Sequence, residues 1–402
     1  MNLITLISVV ALVLVVIPVA YLVLLALASA VPIARAPHAR RPTHRFIVAI
    51  PAHDEESVIA ATVRRLRQLE YPGELFEVHV VADHCGDRTA ELARQAGAIV
   101  HERQEGPRSG KGGALRWLLS RVLQGDRCDA VVIFDSDTRV DPRFLRVMDS
   151  RLAAGDAVIQ GQHVISNPRA GWFPALTWAM FLIDNRFGNL GRVRLGLSAK
   201  NMGDSICFRA DVLRRIGWGE GLTEDYQLRQ RLLLEGLRIA YDPGAIGYGE
   251  AALTWRQARA QRERWLRGTY DASSQFAMRL LKQGLAQHSI RLLDGAVQAY
   301  FPSYSTLTVV TAVLLAAQLL ASRLVETVTP VVLVAWTLIL VVLFIYPLFG
   351  LALERAPLRA YMAILSGPVF IVWRSWLACR SRLTRRRLIW VRTSHGDAAV
   401  GR

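Results

Sequence analysis

The chain has 402 residues, 52% of them hydrophobic, and a formal net charge of +16. Its length exceeds one ordinary domain, and a mean hydropathy of +0.25 is high for a wholly soluble protein. Lysine occurs only at Lys111, Lys200 and Lys282, so arginine supplies nearly all the positive charge. These arginines gather around apolar spans, which suits the cytoplasmic side of a membrane and argues against nucleic acid as a partner. Four scattered cysteines (Cys85, Cys128, Cys207, Cys379) form no C-x-x-C pair and read as reduced thiols of a cytosolic domain.

In residues 1–32, the run Leu3 to Val31 is almost all Leu, Val, Ile and Ala. It is long enough to cross a bilayer and too long for the apolar core of a signal peptide. Arg35, Arg40, Arg41 and Arg45 follow it, so what comes next is expected in the cytoplasm.

Residues 45–250 alternate short apolar runs with helical patterns. Phe46 to Ile50 predicts a strand closed by Pro51, and Asp54-Glu55-Glu56-Ser57 predicts a helix start, acids favouring its amino end. Val78 to Ala82 predicts a second strand ending at Asp83, followed by a helix to Gln95 and a stop at Gly97. Ala98 to Val100 predicts a third strand, Gly112 to Leu123 a helix, and Ala130 to Phe134 a strand buried on both faces. This rhythm argues an α/β fold with a doubly wound, mostly parallel sheet.

Trp172 to Leu182 is strongly aromatic, and Trp255 to Leu281 is dense in arginine with Trp255, Trp265 and Phe276. Both compositions suit helices lying in a membrane interface, the second within residues 251–290. A membrane region is expected over 300–378, with two spans near Ser305 to Ala321 and Val328 to Leu351. A third apolar stretch, Tyr361 to Ala378, is broken by Gly367-Pro368 and Arg374. A full crossing there would put the basic tail 379–402 outside, so an interfacial or re-entrant segment and a cytoplasmic C-terminus are expected.

Four clusters could carry chemistry. Asp135 and Asp137, one residue apart at a strand's carboxyl end, are hard oxygen ligands suited to Mg²⁺ or Mn²⁺ with room left for phosphate oxygens. The structural alternative is an Asp-Ser-Asp turn capping a helix. Asp83 could accept from a base N–H or a ribose hydroxyl. Gly106 to Gly113 is a glycine-rich basic loop whose backbone N–H groups and Lys111 could cradle a diphosphate; Gly112 after Lys111 excludes a Walker A loop. Thr223 predicts an N-cap for a helix beginning Glu224-Asp225, and Asp225 could deprotonate an attacking hydroxyl. Gln261, Arg264 and Trp265 share one helix face, a cation, an amide and an indole suited to a diphosphate and a sugar ring. An interfacial helix anchored by its Arg and Trp is the structural alternative.

Taken in order, Asp83, Asp135-Ser136-Asp137, Thr223-Glu224-Asp225 and Gln261-x-x-Arg264-Trp265 resemble the D, D-x-D, T/E-E-D, Q-x-x-R-W pattern of membrane-embedded family-2 glycosyltransferases, the cellulose, chitin, hyaluronan and poly-N-acetylglucosamine synthases. Ala49 to Glu56 resembles their first nucleotide-binding loop, with Asp54 where the family usually has Asn. Gly203 to Phe208 only approximates the family's glycine-rich acceptor loop.

The resemblance implies a GT-A-type, Rossmann-like domain with transmembrane and interfacial helices, inverting the anomeric carbon of a nucleotide sugar, commonly a UDP-sugar. It implies that Pro51, Glu55 and Asp83 hold the nucleoside. Asp135 and Asp137 hold the diphosphate and its Mg²⁺ or Mn²⁺, with Lys111, Gln261 and Arg264 on the donor. Asp225 is the implied base with Glu224 beside it, and Trp265 floors the acceptor sugar. The expected activity is extension of a β-linked polysaccharide at the cytoplasmic face of a bacterial inner membrane. The alternative is transfer of one sugar to a membrane lipid; a non-catalytic membrane scaffold is a distant third. With so few spans, a polymer conduit would call for a homodimer or a partner subunit.

Overall fold

The computed structural model describes residues 3–31, 41–301, 303–324 and 330–383. Arg35, Arg40 and nearly all of the expected basic tail lie outside these residues, as does the side chain of Cys379.

The chain begins with α1 (Leu3–Ala30) and then builds its sheet. In order come β1 (Phe46–Ala52), α2 (Ile59–Leu66), β2 (Phe76–Asp83), α3 (Thr89–Gln95), β3 (Ile99–Arg103), α4 (Gly110–Val122) and β4 (Ala130–Ile133). Next are β5 (Arg139–Val140), α5 (Phe144–Ala153), β6 (Val158–Ile165) and α6 (Trp172–Ile183), which runs through a π-helical segment (Asp184–Gly191) into α7 (Arg192–Arg194). The sheet is completed by β7 (Ile206–Arg209), α8 (Ala210–Ile216), α9 (Glu224–Leu234) and β8 (Ala240–Gly249). Six helices follow: α10 (Trp255–Ala286), α11 (Ile290–Tyr300), α12 (Tyr304–Leu324), α13 (Pro330–Leu353), α14 (Leu358–Ile364) and α15 (Gly367–Leu383).

The eight strands form one sheet of order β3-β2-β1-β4-β7-β6-β8-β5. The first four are mutually parallel, β7 runs antiparallel to both β4 and β6, β8 is parallel to β6, and β5 is antiparallel to β8. The continuous apolar runs of β1 and β4 follow from burial on both faces. Val48, Ile50, Val132 and Phe134 pack with Phe144 and Met148 of α5 on one side, while Ile47, Ala49, Val131 and Ile133 meet Leu115 and Leu118 of α4 and Leu228 of α9 on the other. The mixed half was not legible in the sequence. β8 contains Pro243, Gly244, Gly247 and Gly249, weak strand formers, and is held by its register against β6 across an irregularity at Gly161/Gln162.

Two local expectations change. Residues 54–58 form a turn rather than a helix start: Asp54 sits at φ +54 and its Oδ1 accepts from Gly86 N at 2.8 Å, and α2 begins only at Ile59. Asp, like Asn, tolerates that left-handed conformation because its short side chain bonds locally. Thr223 does occupy the N-cap position of α9, but its side chain makes no capping bond because it is turned against α10.

Among the described residues, three helices are long and apolar enough to cross a membrane: Leu6–Ala30, Tyr304–Arg323 and Pro330–Leu353. Val15 and Val19 of α1 pack with Trp336, Ile339 and Leu343 of α13. The aromatic α6 buries Phe173 and Leu176 against Ala258 of α10 and Phe370 of α15, leaving Trp172 exposed at its start. The third apolar stretch is two helices, α14 and α15, bent by 49° at their break. A buried ionic cluster ties α1 to the sheet domain. Tyr21 of α1 donates to Asp294 of α11, which faces Arg192 at 3.4 Å and Arg229 of α9 at 3.9 Å.

Candidate active site

The carboxyl edge of the sheet opens into a cavity of about 550 Å³. Pro51, Glu55, Asp83, Lys111, Asp135, Asp137, Glu224, Asp225, Gln261, Arg264 and Trp265 all line it, so every sequence-expected site residue reaches one volume. Parallel strands deliver this: β1, β2 and β4 end side by side, presenting Pro51, Asp83 and Asp135 on one rim. Thr223, Glu224 and Asp225, with Gln261, Arg264 and Trp265, supply more of the lining.

Asp83 is buried and its Oδ1 accepts from Arg103 Nη1 at 2.8 Å and faces His84 Nδ1 at 2.9 Å. Arg103 Nη2 also donates to Pro107 O at 3.0 Å, so the pair pins the start of the glycine-rich loop beside Asp83. Lys111, on the first turn of α4, pairs with Asp135 and donates to Gly203 O at 2.6 Å. Burial disfavours its cation, but Asp135, Glu224 and Asp204 together raise it above the ordinary lysine range.

Beneath Asp135 lies a buried group the sequence did not reveal. Asp204 Oδ1 accepts from Asp135 N and from Thr138 Oγ1, each at 3.0 Å. Its Oδ2 faces His163 Nδ1 at 2.9 Å and accepts from Ser205 Oγ at 3.0 Å. Burial opposes both charges, yet the hydrogen bond and the mutual attraction prevail, lowering Asp204 and raising His163. Asp204 thereby fixes the backbone from which Asp135 projects. Gly203-Asp204-Ser205 was visible as an irregular loop, whereas His163 on β6 had no local signal.

Glu224 and Asp225 open α9 at the cavity wall. Burial, with the adjacent Asp225 charge, pushes the Glu224 carboxyl up to about 7, against the pull of Lys111 and Arg264. Burial likewise raises Asp225, with Lys111 and Arg264 opposing. Gly203 adopts φ +76 and faces Asp225, where a Cβ would lie 3.1 Å from Oδ2, so a side chain there would crowd the carboxylate. The lining holds eight carboxylates (Glu55, Asp83, Asp135, Asp137, Asp204, Glu224, Asp225, Glu250) against five Lys or Arg side chains. An oxygen-rich, net acidic lining in which an ammonium already sits on Asp135 fits a hard divalent cation. Arg374 of α15 also lines the cavity; its only trace in the sequence was an arginine interrupting an apolar run.

The mixed sheet with carboxylates at its parallel carboxyl edge is of the GT-A type. Residues 42–268 match the family described as "Glycosyltransferase like family 2". The chain belongs to that family. It is 27% identical over 252 residues to "Probable glycosyltransferase YdaM" of Bacillus subtilis (strain 168), covering 58% of this chain and 57% of that protein. It is 29% identical over 241 residues to "Beta-monoglucosyldiacylglycerol synthase" of Synechocystis sp., covering 57% of this chain and 49% of that one. The chain thus spans about half the length of these curated relatives. Among solved structures, the mannosyltransferase PcManGT of Pyrobaculum calidifontis, in complex with GDP-Man and Mn²⁺, shares the fold with a TM-score of 0.56 at 18% identity, over 86% of this chain and 98% of that one.

Proposed function

We propose that the chain is a membrane-bound, metal-dependent, inverting glycosyltransferase that moves a sugar from a nucleotide-sugar donor, a UDP-sugar being the expected one, to a hydroxyl carried by a membrane lipid. One observation carries this reading: the cavity that gathers Asp83, Asp135, Asp137 and Asp225 also includes Arg374 of α15, a helix whose Val369, Val372 and Trp376 are exposed. An apolar outer face one helix away from the carboxylates suits a lipid head group entering from the bilayer. The helices of residues 3–30, 304–324 and 330–353 would span the membrane, with α14 and α15 at its interface and the sheet domain in the cytoplasm of a bacterial cell. The name of the Synechocystis relative, a glucosyldiacylglycerol synthase, agrees with a lipid acceptor.

In this mechanism the loop from Pro51 to Glu55 and Asp83 orient the nucleoside. Asp135 and Asp137 would hold Mg²⁺ or Mn²⁺, which when bound neutralises charge on the departing diphosphate. Lys111 and Arg264 add cationic donors to the same oxygens, where charge develops as the glycosidic bond breaks. Asp225, with Glu224 beside it, takes the proton from the acceptor hydroxyl as its oxygen bonds to the anomeric carbon from the face opposite the leaving group. Burial raises both carboxyls above their ordinary range, which favours proton uptake.

Extension of a β-linked polysaccharide remains the second reading, because Gln261, Arg264 and Trp265 line the cavity together and an indole suits a sugar face. The deciding experiment incubates the purified protein with a panel of nucleotide sugars, Mg²⁺ or Mn²⁺ and mixed lipids, reading nucleoside diphosphate release and product mass. A single-sugar glycolipid is expected. A ladder of polymer would transfer the assignment to the second reading, and no metal-dependent release from any donor would overturn both.

A further inference from the structure

We propose that Arg229 of α9 is a positioning residue for the base Asp225, and that the membrane helix α1 shares in that positioning through Tyr21 and Asp294. This rests on the glycosyltransferase reading above and adds to it a dependence of turnover on how α1 is seated.

Arg229 stands one helical turn after Asp225, so the two share a face of α9. It is 1% exposed and does not line the cavity. Its guanidinium reaches the segment that runs into β7: Nε donates to Ala199 O at 2.8 Å and Nη2 to Ser198 O at 3.4 Å. Further along that segment, Gly203 comes back against the Asp225 carboxylate. The helical turn, the guanidinium and the segment thus close a ring through the base. The same segment carries Gly203 O, which accepts from Lys111, and Asp204, which holds Asp135 N. Arg229 therefore fixes the base relative to the carboxylate expected at the diphosphate. A planar guanidinium can hold two carbonyls at once in one geometry, which an ammonium on a flexible stem does not.

Behind Arg229 stands Asp294 of α11, 3.9 Å away. That carboxylate also faces Arg192 at 3.4 Å and accepts from Gln298 and from Tyr21 of α1. Two buried cations on one carboxylate make the cluster sensitive to each of its donors, because desolvated charges depend on the few partners they have. The backbone of α1 comes close at this point. A Cβ on Gly191, the residue before Arg192, would lie 2.3 Å from Leu25 O, one turn after Tyr21. The Tyr21 ring also meets Phe301, with centres 5.1 Å apart. The seating of α1 thus bears on Asp294, Asp294 on Arg229, and Arg229 on Asp225.

The test uses the full chain in mixed micelles with Mn²⁺ and the nucleotide sugar and lipid mixture giving the fastest release. Turnover is divided by the number of sites that bind the matching nucleoside diphosphate with Mn²⁺ in titration calorimetry, so a misfolded fraction drops out. R229K should lower this corrected turnover roughly 10- to 100-fold, while nucleotide affinity stays within about twofold. Y21F, which removes one hydroxyl, should lower it about 2- to 30-fold. In a D225N background there is no base to position, and R229K should change the residual turnover by no more than about twofold. A merely structural role would give equal losses in both backgrounds, and that result would overturn the proposal. Wild-type turnover in R229K would overturn it too, and wild-type turnover in Y21F would overturn the part assigned to α1. Weakened nucleotide affinity with turnover intact would assign Arg229 to the donor site instead. Should R229K yield no nucleotide-binding sites, Y21F with and without D225N makes the same comparison. A wild type that releases no nucleoside diphosphate from any donor would remove the reading beneath the proposal, whereas normal release with unaffected variants would refute the proposal alone.

Discussion

Gly268 of α10 lies directly against Thr223 at the head of α9, so that a Cβ on Gly268 would sit 2.6 Å from both Thr223 Oγ1 and Cγ2. This close approach brings the QxxRW helix up to the TED segment. Gly268→Ala should force the helices apart, costing about 1–3 kcal/mol of stability and lowering turnover more than donor affinity. Thermal unfolding in detergent and initial rates check it; a variant with wild-type stability and rate would mean that the contact is readily relieved.

Asp225→Asn should reduce turnover by roughly 10²-fold or more while donor binding, followed by titration calorimetry, stays within about twofold. Unchanged turnover would remove Asp225 as the base. The base must be deprotonated to act, and burial raises both carboxyls, Glu224 to about 7. The acidic limb of the rate should therefore lie above the ordinary carboxylate range. An acidic limb at the ordinary carboxylate value would contradict a buried base.

Asp204 and His163 form a buried pair under Asp135, so Asp204→Asn should destabilise the protein by about 3–5 kcal/mol by leaving the imidazolium uncompensated. Asp204 is lowered from its ordinary 3.8, so its contribution is present above that value and lost as pH falls through the lower folded value. His163 is raised from 6.5, so its contribution is full below that value and lost as pH rises through the higher folded value. Stabilisation by the pair should thus be complete between 3.8 and 6.5, and unfolding scans of D204N should lack this dependence.

Asp137→Ala should abolish the metal dependence of nucleoside diphosphate binding, and a chelator should do the same to the wild type. Calorimetry giving one affinity with and without metal would refute the metal role. Lys111→Gln should raise the donor KM by roughly tenfold, measured at saturating metal, because the cation bridging Asp135 and Gly203 O is lost.

Local patterns in the chain suffice for the central strands, the order of the acidic motifs and the apolar spans. A strand buried on both faces must be a continuous apolar run, and a membrane helix must be long and apolar, so both leave a signature in consecutive residues. β5 to β8 left little trace: Pro243 and three glycines make β8 a strand only through its pairing with β6. His163 and Asp204 stand far apart in the chain and meet only because β6 and the loop before β7 converge under Asp135. Thr223 looked like a cap, yet α10 turns its side chain elsewhere. Which carboxylates are buried, and hence which can take a proton near neutrality, depends on desolvation by distant segments. Only packing settles that, because no residue's spacing records what lies over it.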